Sequence, residues 1–476
     1  MNPSQEIPWQ EKAPSAENTA PIQASRVSAG RINLYRLPWL RPLLESRWPQ
    51  FLLRLLTLAG FVFAIAAGLF GSAVGSHNFA IIFVWIAWWS VFKLVFIPLG
   101  GRSWCSICPI PLPGEWLQQG GILQKGHRGL GLNLRWPKRL KGSWLQSGAF
   151  LLIGLFSALT LTDPHVTAWV FAALFVLAIG LSLVFERRAF CSYICPIGGF
   201  SGIYAQTAPV ELRIIDAEIC AKHGDKSCYH ACPWGLYPVS FRDSAACGLC
   251  MECLRACPQD NLALNLRPFG SDIGKPRPSN RIDEAFLALV MLGSALAFAA
   301  VFVGPWGWLK SAAFAIGSPQ WIGYAAGFLA LNLFLLPGLF TLATLIGQRF
   351  GGRNLSSKRF PLKREISNQS QALLPLGLMA WIAFTVSFAL PKLGFVLGVV
   401  NDPFGWGWNL LGAGYTFWSP DVSRFSLVLQ VVLLLIGLFW SANVANRLAE
   451  YDYRRAASVM TFCLAFTLGM LWLLIG

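Results

Sequence analysis

Nine stretches of this chain are apolar over 18 residues or more, at 51–70, 79–99, 145–162, 167–185, 285–306, 321–346, 372–390, 425–443 and 456–476. A hydrocarbon layer about 30 Å thick takes roughly 20 helical residues to cross, and only a helix satisfies its own backbone there. The spacing therefore predicts an all-α polytopic membrane protein of about nine transmembrane helices. The third, fourth and seventh stretches are short, which leaves room for one that enters the membrane only partway. With 55% hydrophobic and 13% charged residues, the chain is far more apolar than a soluble domain.

Basic residues orient the bundle. Of the 38 Lys and Arg, 33 fall in the segment before residue 51 and in the loops 100–144, 186–284, 347–371 and 444–455. Such residues are retained on the cytoplasmic side, so the N-terminus is expected inside and the C-terminus outside. Arg54 and Lys93, inside the first two stretches, are expected to snorkel to the basic face. The net charge of +16 is thus a topology signal, spread over many loops with no nucleic-acid module around it. Residues 1–25 read as disordered and 26–48 as a basic segment on the inner leaflet. The polar, acidic start shows no cleaved targeting segment.

Between the fourth and fifth stretches stand Cys247, Cys250, Cys253 and Cys257, a C-x2-C-x2-C-x3-C-P run. Three such closely spaced thiolates converge on one iron–sulfur cluster, and the fourth serves a second cluster. Upstream, Cys220, Cys228 and Cys232 form a looser C-x7-C-x3-C-P. By the exchange rule Cys232 joins Cys247, Cys250 and Cys253, while Cys220, Cys228 and Cys257 hold the other cluster. That second site is one thiolate short. It holds either a [3Fe-4S] cluster or a [4Fe-4S] cluster with a non-thiolate ligand, His223 or Asp225. A zinc-stabilised scaffold is the competing reading, although zinc has no use for the C-x3-C-P ends. Eleven of the twelve cysteines lie on the inner face, where the reduced cytosol keeps thiolates free for metal. Cys463 stands alone in the last stretch.

A repeat marks the first four stretches. Arg102-Ser-Trp-Cys105-Ser-Ile-Cys108-Pro follows the second, and Arg188-Ala-Phe-Cys191-Ser-Tyr-Ile-Cys195-Pro follows the fourth. Each motif places a basic residue, an aromatic and two cysteines at the interface, then a proline that ends or bends the helix. In the second copy a spacing of four would stack Cys191 and Cys195 on one helix face. The four thiols are expected to form a metal centre or redox-active site at the membrane surface. Two separate thiol pairs, or cysteines that simply pack at helix ends, are the alternatives.

Over about residues 50–268, these paired Cys-Pro motifs followed by the cysteines from Cys220 to Cys257 resemble the membrane polyferredoxins of the NapH and NosR type, to which cytochrome oxidase accessory iron–sulfur proteins are related. The first motif departs in being C-x2-C-P where that family has C-x3-C-P. The chain also adds five apolar stretches after the clusters. The resemblance implies 4Fe-4S electron transfer between the quinone pool and a redox partner protein, such as a respiratory reductase or oxidase, in the bacterial inner (cytoplasmic) membrane.

The expected organisation is a tail at 1–50, a four-helix membrane domain at 51–211, an inserted cytoplasmic two-cluster ferredoxin-like α+β domain at 212–270, and a five-helix membrane domain at 271–476. The last five stretches hold no Asp, Glu, Lys or Arg in their apolar cores, which argues against an ion-coupled transporter. No histidine lies in a stretch to ligate haem, and no strand–glycine–helix pattern suggests a nicotinamide site. The external, aromatic stretch 391–424 serves as an interfacial belt or as a docking surface for an outside partner. The functional expectation is an electron-transfer component of a quinol-linked oxidoreductase. The rival is an assembly factor that reduces a metal or thiol while a respiratory enzyme is built.

Overall fold

The computed structural model describes residues 30–122, 129–277, 280–351, 361–412 and 423–475. Among them run the apolar helices α1 Trp48–Phe70, α2 Phe79–Gly100, α3 Trp144–Leu155, α4 Pro164–Val184, α5 Ile282–Phe302, α6 Pro319–Phe350, α7 Leu362–Lys392, α8 Arg424–Leu448 and α9 Tyr453–Ile475. All but α3 are long and apolar enough to cross a membrane, so the chain is a multi-pass membrane protein.

The expectation of nine full spans is corrected at 145–162. Helix α3 has 12 residues, about 18 Å at 1.5 Å per residue. It breaks at Phe156 (φ −97°, ψ 15°) and resumes as Ser157–Thr160. The second piece packs against the helix Gly307–Phe314. Thr160 and Thr162 donate back to the carbonyls of Phe156 (3.0 Å) and Ala158 (2.7 Å), bonds that bend a helix. Helix α4 starts sharply because Asp163 accepts from the backbone of His165 (2.9 Å) and Val166 (3.1 Å), with Pro164 at the first helical position.

Helices α5 and α7 are the most enclosed and α1 the least. At the centre the Trp381 indole donates to the Met291 carbonyl (3.1 Å). The rings of Phe150, Phe200, Phe298 and Phe384 surround it at centroid distances of 5.4–6.1 Å.

Lys93 does not snorkel. Helix α2 is wound in π turns at Ile82–Trp88 and Phe92–Phe96, and this wider winding turns Lys93 into the bundle. Its residue is 1% exposed. The ammonium lies over Trp89 (5.2 Å), Trp381 (5.4 Å) and Phe384 (5.5 Å), with no carboxylate partner among the described residues. Ring quadrupoles offset only part of the lost hydration. Lys93→Met, which conserves shape without the charge, is therefore expected to stabilise the protein by about 1–4 kcal/mol. A melting temperature in detergent micelles that fell below the parent's would contradict this.

A small antiparallel sheet stands beyond the spans in the order β1-β3-β2, from β1 Ile32–Asn33, β2 Val210–Ile214 and β3 Leu262–Leu266. Strand β1 comes from the stretch read as an inner-leaflet segment. Buried Glu211 on β2 holds it through Arg31 (2.8 Å) and also takes Arg267 (2.7 Å). The same region is tied to the helix ends: Arg277 reaches Gln206 (2.6 Å) and Glu284 (2.6 Å). The backbone N–H groups of Arg277 and Arg281 donate to Asn368 and Ser367, each at 2.9 Å. The sheet and its loops therefore sit against the ends of α5 and α7.

Candidate metal centres

The turn after α2 is tight. Gly101 takes φ +57° beside Ala205, where an added Cβ would come within 3.2 Å of the alanine methyl. This lets the short helix Trp104–Ile107 tuck under the membrane domain with Cys105 buried on it and Cys108 extended at its end. After α4 the helix Ala189–Tyr193 carries Cys191, but it stops there. Cys195 is extended (φ −57°, ψ 118°) and caps the next helix, Pro196–Tyr204, accepting from Gly198 N–H at 3.3 Å. The expected stacking of Cys191 and Cys195 on one helix face is thus replaced by a turn, because Pro196 has no N–H to continue the first helix.

The two motifs interlock through their arginines. Arg102 donates to the carbonyl of Cys191 (2.9 Å), and Arg188 donates to the carbonyl of Cys105 (2.6 Å). Each guanidinium so clamps the other motif's first cysteine. Arg188 also makes a two-pronged ion pair with buried Glu115, and Arg102 reaches on to the carbonyls of Ala245 (3.0 Å) and Ala246 (3.4 Å). Cys108, Cys191 and Cys195 pack in one apolar cluster with Ile110 and Phe190. Cys105 sits at its edge, 3.5 Å from the Ser201 hydroxyl, and packs with Cys232, Trp234 and Cys250.

Cys105 therefore lies close to both sets of cysteines. Between them the Trp234 ring lies under Arg188 at 4.4 Å and Arg102 at 6.0 Å. Gly248 presses on the same ring, where an added Cβ would fall 2.2 Å from it.

In the loop that follows, Leu249 (φ 50°) and Met251 (φ 62°) both adopt left-handed backbone, which costs energy in a non-glycine residue and marks a functional turn. These turns fold Cys247, Cys250 and Cys253 back on one another. Burial, then the fields of Cys250, Cys247 and Cys232, push the Cys253 thiol well up. Burial and Cys232 likewise raise Cys250 to about 12, and burial raises Cys247 to about 11. Cys232 accepts from Leu236 N–H at 3.4 Å.

The other trio adjoins the first, with Cys228 and Cys257 packed in the same apolar cluster as Cys247 and Cys253. Cys228 is raised to about 11 by burial and then by Cys257 and Cys220, and Cys220 accepts from the Asn261 amide at 3.2 Å. The structure so brings Cys232 toward Cys247, Cys250 and Cys253, and Cys220 and Cys228 toward Cys257. Cys463, fully buried in α9, joins none of them.

These groups fit iron–sulfur clusters as donor sets. All twelve cysteines are free of disulfides. Arg102 is buried, its hydrogen bonds go only to carbonyls and its Nε has none, so among the described residues this guanidinium has no carboxylate partner. Thiolates ligating a cluster supply that missing negative charge. Among the described residues no three His, Cys, Asp or Glu side chains converge on a point where a bare ion would sit. Only the thiolate ligates, so metal binding displaces protons and weakens as pH falls.

Arg102, Arg188, Glu115 and Trp234 escaped the sequence reading as site residues. The signal was present in the arginines, each three residues before the first cysteine of its motif. Glu115 is the sole acidic residue between Pro109 and Thr162. Of the aromatic stretch 391–424, the rings of Phe404, Trp406 and Trp408 cluster at centroid distances of 4.5–5.5 Å, and Phe404 meets Phe63 of α1. Trp418 lies outside the described residues.

A 4Fe-4S binding domain family matches residues 81–133 and 167–210. The matched segments contain both Cys-Pro motifs and end before Cys220. The methylamine utilization ferredoxin-type protein MauN of Paracoccus denitrificans is 25% identical over 154 residues, 29% of this chain and 51% of MauN. MauN of Methylorubrum extorquens is 26% identical over 161 residues, 29% of this chain and 50% of MauN. The chain spans about half the length of the curated relatives it matches. No solved structure matches it.

Proposed function

We propose that the protein is a membrane iron–sulfur electron carrier with a cluster at the Cys105, Cys108, Cys191, Cys195 quartet and two ferredoxin-type sites beside it, exchanging electrons between the quinone pool and a redox partner protein. One observation carries this reading. The two motifs that fall in the 4Fe-4S match are clamped together by reciprocal arginine bonds, and they pack through Cys105 onto Cys232, Trp234 and Cys250.

Bound clusters supply one-electron exchange at potentials set by their ligands and surroundings. The chain's own residues arrange the rest. Arg102 and Arg188 hold positive charge beside the thiolates, which favours the more negative, reduced state. Trp234 fills the space between Cys105 and Cys250 and excludes water from it. The quinone assignment is supported by the resemblance and by the position of the quartet at the end of α2 and α4. The basic loops on that same end support a cytoplasmic placement of all three sites, with the C-terminus external.

The test is the double variant Cys105→Ser, Cys191→Ser in the full chain, purified anaerobically in detergent. It is expected to lose about four irons relative to the parent while keeping the reduced signals of the ferredoxin-type sites. Unchanged iron in this variant would contradict a cluster at the quartet. In the parent, a short-chain quinol is expected to bleach the cluster absorbance, and failure to do so would remove the quinone assignment.

A further inference from the structure

Cys220, Cys228 and Cys257 form a three-thiol site on the sheet side, away from the membrane quartet. Cys220 lies on the helix Ala217–Lys222, and His223 follows as its C-terminal cap, three residues on and thus over the same helix face. The two ends of the site are drawn together by Ser227, whose hydroxyl lies 2.8 Å from the carbonyl of Ala256, the neighbour of Cys257.

Three polar side chains within four residues of a trio cysteine in the sequence could complete it, and their hydrogen bonds separate them. Asn261 is spent: its amide donates to Asp216 O (2.6 Å) and Cys220 Sγ (3.2 Å), and its oxygen accepts from Asp216 N–H (2.9 Å). Asp225 is also spent, with one carboxylate oxygen on Ser227 N–H (2.8 Å) and the other on its hydroxyl (3.2 Å), in an exposed turn. His223 is different. Its Nδ1 is shut off from solvent with no hydrogen-bond partner. A buried polar atom is paired in most proteins, and an orphan calls for an explanation such as an ion.

We propose that His223 is the fourth ligand of this second cluster, donating a neutral imidazole nitrogen where Cys220, Cys228 and Cys257 donate thiolates. The proposal rests on the iron–sulfur reading above and extends it to one residue. It also makes the two ferredoxin-type sites unequal. A neutral ligand leaves the cluster less negative than four thiolates do, so the His-ligated site accepts an electron at a higher potential than the Cys232, Cys247, Cys250, Cys253 site, as replacing cysteine by histidine does in other clusters.

The test uses the full chain, made with natural or ¹⁵N-labelled histidine, purified anaerobically, reduced with dithionite and examined by pulsed EPR. A nitrogen coupling that changes with the label is expected in the parent. His223→Ala is expected to lose that coupling together with about one iron per chain, leaving a three-iron signal. His223→Cys is expected to keep the full iron, lose the coupling and move the second cluster to lower potential. Asp225→Asn is expected to leave coupling and iron unchanged. The proposal is overturned if the parent shows two cluster signals and no histidine coupling, if the coupling survives in His223→Ala, or if Asp225→Asn alone loses iron. A parent without iron and labile sulfide would overturn the electron-carrier reading as well, which keeps the two failures distinct.

Discussion

Arg188→Ala is expected to be among the most damaging single substitutions in this protein. It leaves Glu115, 7% exposed, as a buried carboxylate without its two-pronged partner, a loss that costs about 3–5 kcal/mol. The same change unclamps the Cys105 carbonyl and strips the positive charge from beside ligating thiolates. Stability and iron content should therefore fall together. Arg188→Lys keeps the charge but not the planar fork that serves Glu115 and Cys105 at once, so it should fall between parent and alanine variant. The check is a detergent melting curve with iron measured on the same samples. An alanine variant that melted with the parent and kept its iron would show that the clamp is dispensable.

Gly248→Ala should injure the first ferredoxin-type site by a different route. An alanine methyl at 248 would stand 2.2 Å from the Trp234 ring. That ring is already packed against the guanidinium groups of Arg188 and Arg102. Overpacking of this kind costs about 1–3 kcal/mol, and here it displaces the chain between Cys247 and Cys250. The expected result is a loss of the signal from the Cys232, Cys247, Cys250, Cys253 site with the quartet signal retained. Pairing it with Trp234→Phe, a smaller ring, should recover part of the loss, and the double-mutant cycle measures how much of the defect is this one contact. A full signal from Gly248→Ala alone would refute the close packing.

Much of the architecture was legible because lipid permits so few solutions. Eight of the nine apolar stretches are full helices whose ends lie within five residues of the expectation, as where Asp163 caps α4 ahead of residue 167, except that α7 starts at Leu362, ten residues before the expected 372. The stretch 145–162 failed because no proline announces the break at Phe156; Thr160 and Thr162 bond back to nearby carbonyls, and the second piece packs against Gly307–Phe314. Lys93 failed for a related reason. Its direction depends on the π winding of α2, which no residue pattern announces. The cysteine groups were readable from spacing, since short loops leave little freedom for where thiols point. What joins them was not. The bonds from Arg102 and Arg188 to the other motif and to Ala245 span 83, 89 and 143 residues of sequence, Cys105 meets Trp234 and Cys250 from a comparable distance, and only the fold brings these partners together.

The most direct test of the central claim is iron and acid-labile sulfide per chain in the full protein, purified anaerobically, with EPR before and after dithionite. Three clusters predict about twelve irons with matching sulfide and interacting signals on reduction. Zinc without labile sulfide would contradict the electron-carrier account, and about eight irons would remove the membrane-surface cluster from it.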